Sequence, residues 1–268
     1  MNYPIIFFRK MTLKENIDFV KEAFYENGES LSLHDYTLEA FPELKKYNLN
    51  SSKEEVFLAI EKVVSDRYKK LNDVIENKVK ACSKIWDEVN DKYFKLLTEF
   101  FEVEFPEKFK TIDASIGILP VCPRYLDSFS FSISIGVPDN VIVNLCAHET
   151  LHFAWFEKWK EIYPDTPREE FDSPYLCWQY SEMVTDPILN NEPFLSQFNF
   201  NEHGYNSFYD LYDNGELVMD KLRAIYSEHI SIEEKIKKGY EYIKRYYSKS
   251  INTKWWFGSS FFWKSFVK

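Results

Sequence analysis

Leu145-Cys146-Ala147-His148-Glu149-Thr150-Leu151-His152-Phe153 is the stretch whose reading decides the rest of the chain. It sets His-Glu-x-x-His among uncharged neighbours. On a helix, residues four apart share a face, so His148 and His152 can offer their imidazoles to one point. Glu149 is one position round from His148 and can lean toward that point without being a ligand. Two neutral imidazoles beside a carboxylate suit a hydrolytic metal site, with ligands that leave room for a water and a base to deprotonate it. Five residues are a short pattern, and their context decides what they mean.

The context begins just upstream. Phe129, Phe131, Ile133 and Ile135 alternate with Ser128, Ser130, Ser132 and Ser134. Period two predicts a half-buried strand, with aromatics and Ile inward and serines outward. Ile112, Ala114, Ile116 and Ile118 alternate in the same way, and the connection 121–127 allows the two strands to pair as a hairpin or meander. A serine-faced strand could also take up an extended peptide by strand addition. Gly136 and Pro138 close the strand, and Asp139 or Asn140 is placed to cap a helix over about 141–162. That helix is apolar on nearly every side over its first three turns, as a helix buried in a domain should be.

Downstream, a Pro-, Asp- and Glu-rich loop spans 164–172. Ser173 and Pro174 read as N-cap and first residue of a helix that reaches Asp186 and stops or kinks at Pro187. Glu182 lies in its apolar part, beside Tyr180, Met183 and Val184, where an unpaired carboxylate would be costly. It is a good third metal ligand. Asp186, four residues on, shares that face and is placed to accept the outer N–H of a ligating histidine. Glu169, Glu170 and Asp172 are rival ligands, but they sit in the charged loop and read more simply as solvated.

His148-Glu149-x-x-His152 followed by Glu182-x-x-x-Asp186 resembles the gluzincin metallopeptidases, the thermolysin-like group with two His and one Glu on zinc. The resemblance covers about 129–186. It implies one Zn2+ per chain held by His148, His152 and Glu182, with Glu149 as general base in peptide-bond hydrolysis and Asp186 bonded to a ligand histidine. It also implies a Tyr or His from the C-terminal half at the developing oxyanion. His203, Tyr205 and Tyr240 are the candidates, and spacing does not choose among them. Trp155 and Trp159, one and two turns beyond His152, read as core, with a wall of the cleft as the alternative. The metzincin pattern fits worse, because it needs Gly at 155 and His at 158 where this chain has Trp155 and Lys158.

Elsewhere the pattern is mainly helical. Leu13, Ile17, Val20 and Phe24 mark a helix from Thr12 to about 27, ended by Gly28. Ser52 and Glu55 form a capping-box signature at the head of 51–105, a region without Gly or Pro. Two helices joined near 78–84 are expected there, one very long helix being the alternative. A polar, aromatic loop over 190–214 precedes a helix near 216–228. Ser231 and Glu234 form a second capping box, opening a helix to about Tyr247. The tail over 255–266 (Trp255, Trp256, Phe257 onward) is too aromatic to be left in water and is expected to pack back.

Composition sets the bounds. The chain has 268 residues, 45% of them apolar and 18% aromatic, which is enough for a sizeable core and argues against disorder. With 33 basic against 43 acidic residues the net charge is −10, and no basic stripe offers itself to nucleic acid. No run approaches the roughly 20 apolar residues of a membrane span, and the first ten residues show no long apolar signal region. Cys82, Cys122, Cys146 and Cys177 are scattered without C-x-x-C and read as buried thiols.

The expected architecture is therefore α+β and predominantly α-helical, with a small antiparallel sheet beside a buried His-Glu-x-x-His helix. Its expected regions are an N-terminal helical region (1–106), a zincin-like core (107–190) and a C-terminal helical region completing the cleft (191–268), together one compact unit. The expected protein is a cytoplasmic, soluble zinc metallopeptidase acting on a peptide or flexible protein segment, with no nucleic-acid or membrane partner. Two alternatives stand beside it. One is a zinc-binding regulatory or degenerate protease homologue without proteolytic activity, against which the intact Glu149 speaks. The other is a helical interaction protein whose long N-terminal helices are the working surface.

Overall fold

A computed structural model describes residues 3–26 and 32–249. The aromatic tail 255–266 lies outside the described residues. The chain opens on β1 (Ile5–Lys10), α1 (Leu13–Tyr25) and α2 (Leu33–Ala40), followed by α3 (Lys53–Lys70), α4 (Asn72–Asp87) and α5 (Asn90–Phe101). Strands β2 (Thr111–Gly117), β3 (Arg124–Tyr125) and β4 (Ser130–Ser134) lead into α6 (Ile142–Ile162). Three short helices come next, α7 (Leu176–Met183), α8 (Thr185–Leu189) and α9 (Phe194–Phe198). The hairpin β5 (Tyr212–Asp213) and β6 (Glu216–Leu217) then runs into α10 (Val218–Tyr226) and α11 (Ile232–Lys249). The protein is α+β and mainly helical. Among the described residues, no helix is long and apolar enough to cross a membrane.

Contacts divide the chain into two units, each drawn from separate stretches. One takes the described residues up to 90 and 108–142, and the other takes 91–107 and 143–249.

The first unit holds a four-stranded sheet in the order β1-β2-β4-β3. Both alternating segments form strands, but β2 and β4 run parallel, not as a hairpin. The stretch 118–129 is long enough for the crossover that parallel neighbours need, and it carries β3, which pairs back antiparallel on β4. The sheet is thus mixed and not antiparallel. The apolar patch near the N-terminus is itself a strand, β1, parallel to β2 with Ile6 and Phe8 buried.

Because β4 is an interior strand, its serines do not form a solvent-facing row, and only Ser130 at its start is part-exposed. Ser132 and Ser134 are buried; the Ser132 hydroxyl lies 2.8 Å from that of Ser115, and Ser134 donates to the Leu119 carbonyl at 2.8 Å. Both edges of β4 are taken, so it cannot receive an added strand.

Residues 51–105 form three helices and not two, with breaks at Leu71 and at 88–89. The buried Val64 and Ile75 are eleven positions apart, close to three helical turns, so the apolar spacing runs through the Leu71 break unchanged. Ser52 precedes α3 without a side-chain cap bond. Asp139 is not a cap either: its carboxylate is taken by buried Lys78, which also donates to the Val137 carbonyl. Thr12 and Glu15 form a capping box on α1, and Arg9 bonds both Glu15 (2.8 Å) and Asp113 (2.9 Å). Arg9 and the Thr12 bonds outweigh partial burial and hold the Glu15 carboxyl down to about 2.

In the second unit, α6 is buried on all sides from 145 to 156. Cys146, Ala147, Leu151, Phe153, Ala154, Trp155, Phe156 and Trp159 are at most 1% exposed. Burying each large side chain contributes on the order of 1.5–3 kcal/mol. The rings of Trp155 and Trp159 stack at 4.9 Å, so both are core residues. The segment with Glu182 breaks at Val184 and not at Pro187. Pro187 falls in the first turn of α8, where a missing N–H leaves no bond unmade. Asn214 and Gly215, both at positive φ, make the tight turn of the β5–β6 hairpin. Ser231 and Glu234 do form a capping box. All four cysteines are thiols, with Cys82, Cys146 and Cys177 buried.

Candidate metal centre

Everything needed to describe the site lies in the second unit. From α6 come Asn144, His148 and His152, four residues apart and so on one face, with Glu149 alongside. From α7 comes Glu182, in a stretch (179–189) that is buried throughout. His148, His152 and Glu182 bring one ligand atom each into a group that could hold a metal ion, and all three residues are buried.

The geometry is close to what an ion would need. The two Nε2 atoms are 3.2 Å apart. Glu182 Oε2 stands 3.6 Å from Nε2 of His148 and 3.5 Å from Nε2 of His152. Ligand atoms at roughly 2.0–2.1 Å from a tetrahedral ion are spaced at about 3.3 Å, so this triangle matches one face of such a site.

The electrostatics point the same way. Glu149, Glu182 and Glu202 are each 4–5% exposed, and three buried carboxylates demand positive charge nearby. Burial alone would push the His148 imidazole down. Glu202, Glu182 and Glu149 together outweigh it and hold His148 well above the ordinary histidine value. Where the two imidazoles meet, the protein favours a cation.

Glu202 takes a place that sequence reasoning assigned to Asp186. Its Oε1 is 2.8 Å from Nδ1 of His148, and its Oε2 accepts from Asn144 Nδ2 at 2.7 Å. Asp186 is instead engaged by Arg223 Nη2 (2.6 Å), the Tyr209 hydroxyl (2.7 Å) and Asn190 Nδ2 (2.9 Å). Asn190 closes the circuit: its side chain also accepts from the Glu202 N–H and donates to the Glu202 carbonyl, both at 2.8 Å.

The other candidates scatter. His203 is exposed, bonded to Asn206 at 2.8 Å and stacked on Tyr209 with ring centroids 4.0 Å apart. Tyr205 packs on Trp178 and Phe208. Tyr240 lies edge-on to Trp159 and tilted on Tyr163 and Tyr180, and burial pushes its hydroxyl up to about 12. It belongs to an aromatic cluster. Glu169 and Asp172 are exposed and Glu170 is half-buried, and Asp172 is paired with Arg168 at 2.8 Å.

Sequence reasoning missed Asn144, Asn190, Glu202, Tyr209 and Arg223. Asn144 stands four residues before His148, and Asn190 four after Asp186, so helical spacing carried a signal for both. Nothing in the polar run around Glu202 marks it. No family model, curated protein or solved structure matches the chain.

Proposed function

We propose that this protein is a zinc-dependent peptidase. The observation that carries the reading is the convergence of His148, His152 and Glu182 on one buried point with Glu149 beside them on α6. Two imidazoles and one carboxylate form a mixed nitrogen and oxygen set that suits zinc and leaves a fourth position for water or substrate. Zinc, when bound there, would act as a Lewis acid on the scissile carbonyl and make water easier to deprotonate. Glu149 has no ligand duty in this set. It would take the proton from the attacking water and pass it to the leaving amine. His203 and Tyr205 stay candidates for the oxyanion, while half-buried Tyr240 is held in an aromatic cluster.

Peptide-library cleavage by the zinc-loaded wild type and by Glu149→Gln tests the reading. The wild type should cleave, and Glu149→Gln should lose roughly 10²–10⁴-fold in rate with its zinc retained, the usual worth of a general base. Equal activity in both would refute Glu149 as the base.

A second reading, a zinc-binding protein without proteolysis, is favoured by one observation: His152 is fully buried and Glu149 is only 4% exposed. Zinc bound at one per chain with no peptide cleaved would select it.

A further inference from the structure

The side chains around the three ligand atoms do not follow the spacing that the second helix suggests. The carboxylate four residues after Glu182, Asp186 on α8, faces Arg223, Tyr209 and Asn190. The carboxylate on His148 comes from a loop twenty residues further along the sequence from Glu182. We infer that Glu202 is the residue that positions His148 for metal, and that Asp186 and Asn190 act through it by holding its loop in place. This inference rests on the metal reading above.

First, Glu202 Oε1 at 2.8 Å from Nδ1 makes that nitrogen the one that carries hydrogen. When a metal displaces the other ring proton, the Nε2 lone pair points at His152 and Glu182, so the neutral ring is held in the tautomer a ligand needs. Second, Glu202 cannot swing away. Its other oxygen is bonded to Asn144, one turn before His148 on the same helix, so α6 grips both oxygens. Third, the backbone of Glu202 is clamped. Asn190 binds its N–H and its carbonyl together, much as a neighbouring strand would, and the same Asn190 amide bonds Asp186. Tyr209 adds another tie, accepting from the Gly204 N–H at 3.0 Å while donating to Asp186. The helix that supplies Glu182 thereby continues into the segment that fixes the loop orienting His148. Ligand and orienter are registered by one clamp.

The test is zinc affinity, measured by competition with a chelating dye, for wild type, Glu202→Gln and Glu202→Ala. Visible spectra of the cobalt(II)-loaded proteins and melting temperatures of the metal-free proteins are recorded alongside. Removing an orienting carboxylate costs on the order of 10–100-fold in metal affinity. Glu202→Ala should fall at the upper end of that range and Glu202→Gln, which keeps an acceptor oxygen but not the charge, at the lower end. Both should shift the cobalt spectrum. Should Glu202→Ala not fold, the isosteric Glu202→Gln decides alone. Unchanged zinc affinity and spectrum in the folded variants, with only the metal-free melting temperature lowered, would mean that Glu202 is a structural residue and would overturn the inference while leaving the metal reading intact. A wild type that binds no zinc takes both down, so the two failures are told apart.

Discussion

The side-chain amide of Asn190 meets the backbone of Glu202 in two hydrogen bonds of 2.8 Å, one to its N–H and one to its carbonyl. Asn190→Ala would leave both backbone groups short of a partner in a half-buried place, a loss of about 1–3 kcal/mol in stability. Its effect on zinc should be indirect and smaller than that of Glu202→Ala, because the carboxylate and Asn144 remain. Denaturant melts of the metal-free protein beside zinc titrations check both halves. A larger loss of zinc affinity in Asn190→Ala than in Glu202→Ala would contradict the assigned order.

Glu182→Gln should act in opposite directions on the two states of the protein. Metal-free, the buried carboxylates of Glu149, Glu182 and Glu202 outnumber the His148 imidazole that they hold above its ordinary value, so removing one charge brings the cluster closer to neutral. The metal-free variant should therefore melt no lower than wild type. With zinc at about a thousandfold over its dissociation constant, wild type gains roughly 4 kcal/mol from binding, and the variant should lose most of that gain. Calorimetry with and without zinc reads both effects. A lower metal-free melting temperature would show that Glu182 is held by something other than ligand geometry.

Gly239→Ala probes the aromatic cluster behind the site. On an open helix the change would gain up to about 1 kcal/mol from helix propensity. Here an added Cβ would collide with the Tyr180 hydroxyl, which bonds the Tyr226 hydroxyl at 2.9 Å and the Ile236 carbonyl at 3.1 Å. Overpacking of this kind costs about 1–3 kcal/mol, so the collision should win and the variant should be destabilised. A more stable Gly239→Ala would mean that Tyr180 moves aside freely.

The Glu15 carboxyl gives a pH signature for the first unit. Its folded value of about 2 lies below the ordinary 4.5, so its bonds to Arg9 and Thr12 stabilise the fold fully above 4.5. That contribution is lost as pH falls from 4.5 through about 2. Glu15→Gln should be less stable than wild type at neutral pH, and the gap should narrow steadily in denaturant melts taken down to about pH 3. The group is partly exposed, so added salt should shrink the gap as well. A gap that widens on acidification would contradict the assignment.

How much of this was legible in the sequence differs from residue to residue. The meeting of His148 and His152 follows from helical spacing, and Glu182 stood out as a carboxylate in an apolar helix. Both are local signals. Glu202 was not legible, because its role depends on where a loop returns, and a loop's return is not encoded in periodicity. Asp186 misled for the same reason: spacing put it on the right face, but Arg223 and Tyr209, distant in sequence, compete for its oxygens. In the sheet, alternation located β2 and β4, yet their parallel pairing depends on the intervening crossover. The buried serines of β4 show why polar alternation is a weak guide in an interior strand: a hydroxyl bonded to a carbonyl or another hydroxyl can be buried at little cost.

The most direct measurement is elemental analysis of wild type and Glu182→Gln after purification without added metal and again after dialysis against zinc and then buffer. One zinc per wild-type chain, absent or much reduced in Glu182→Gln, is the expected result. A wild type that retains no zinc after dialysis would contradict the central claim that His148, His152 and Glu182 hold it.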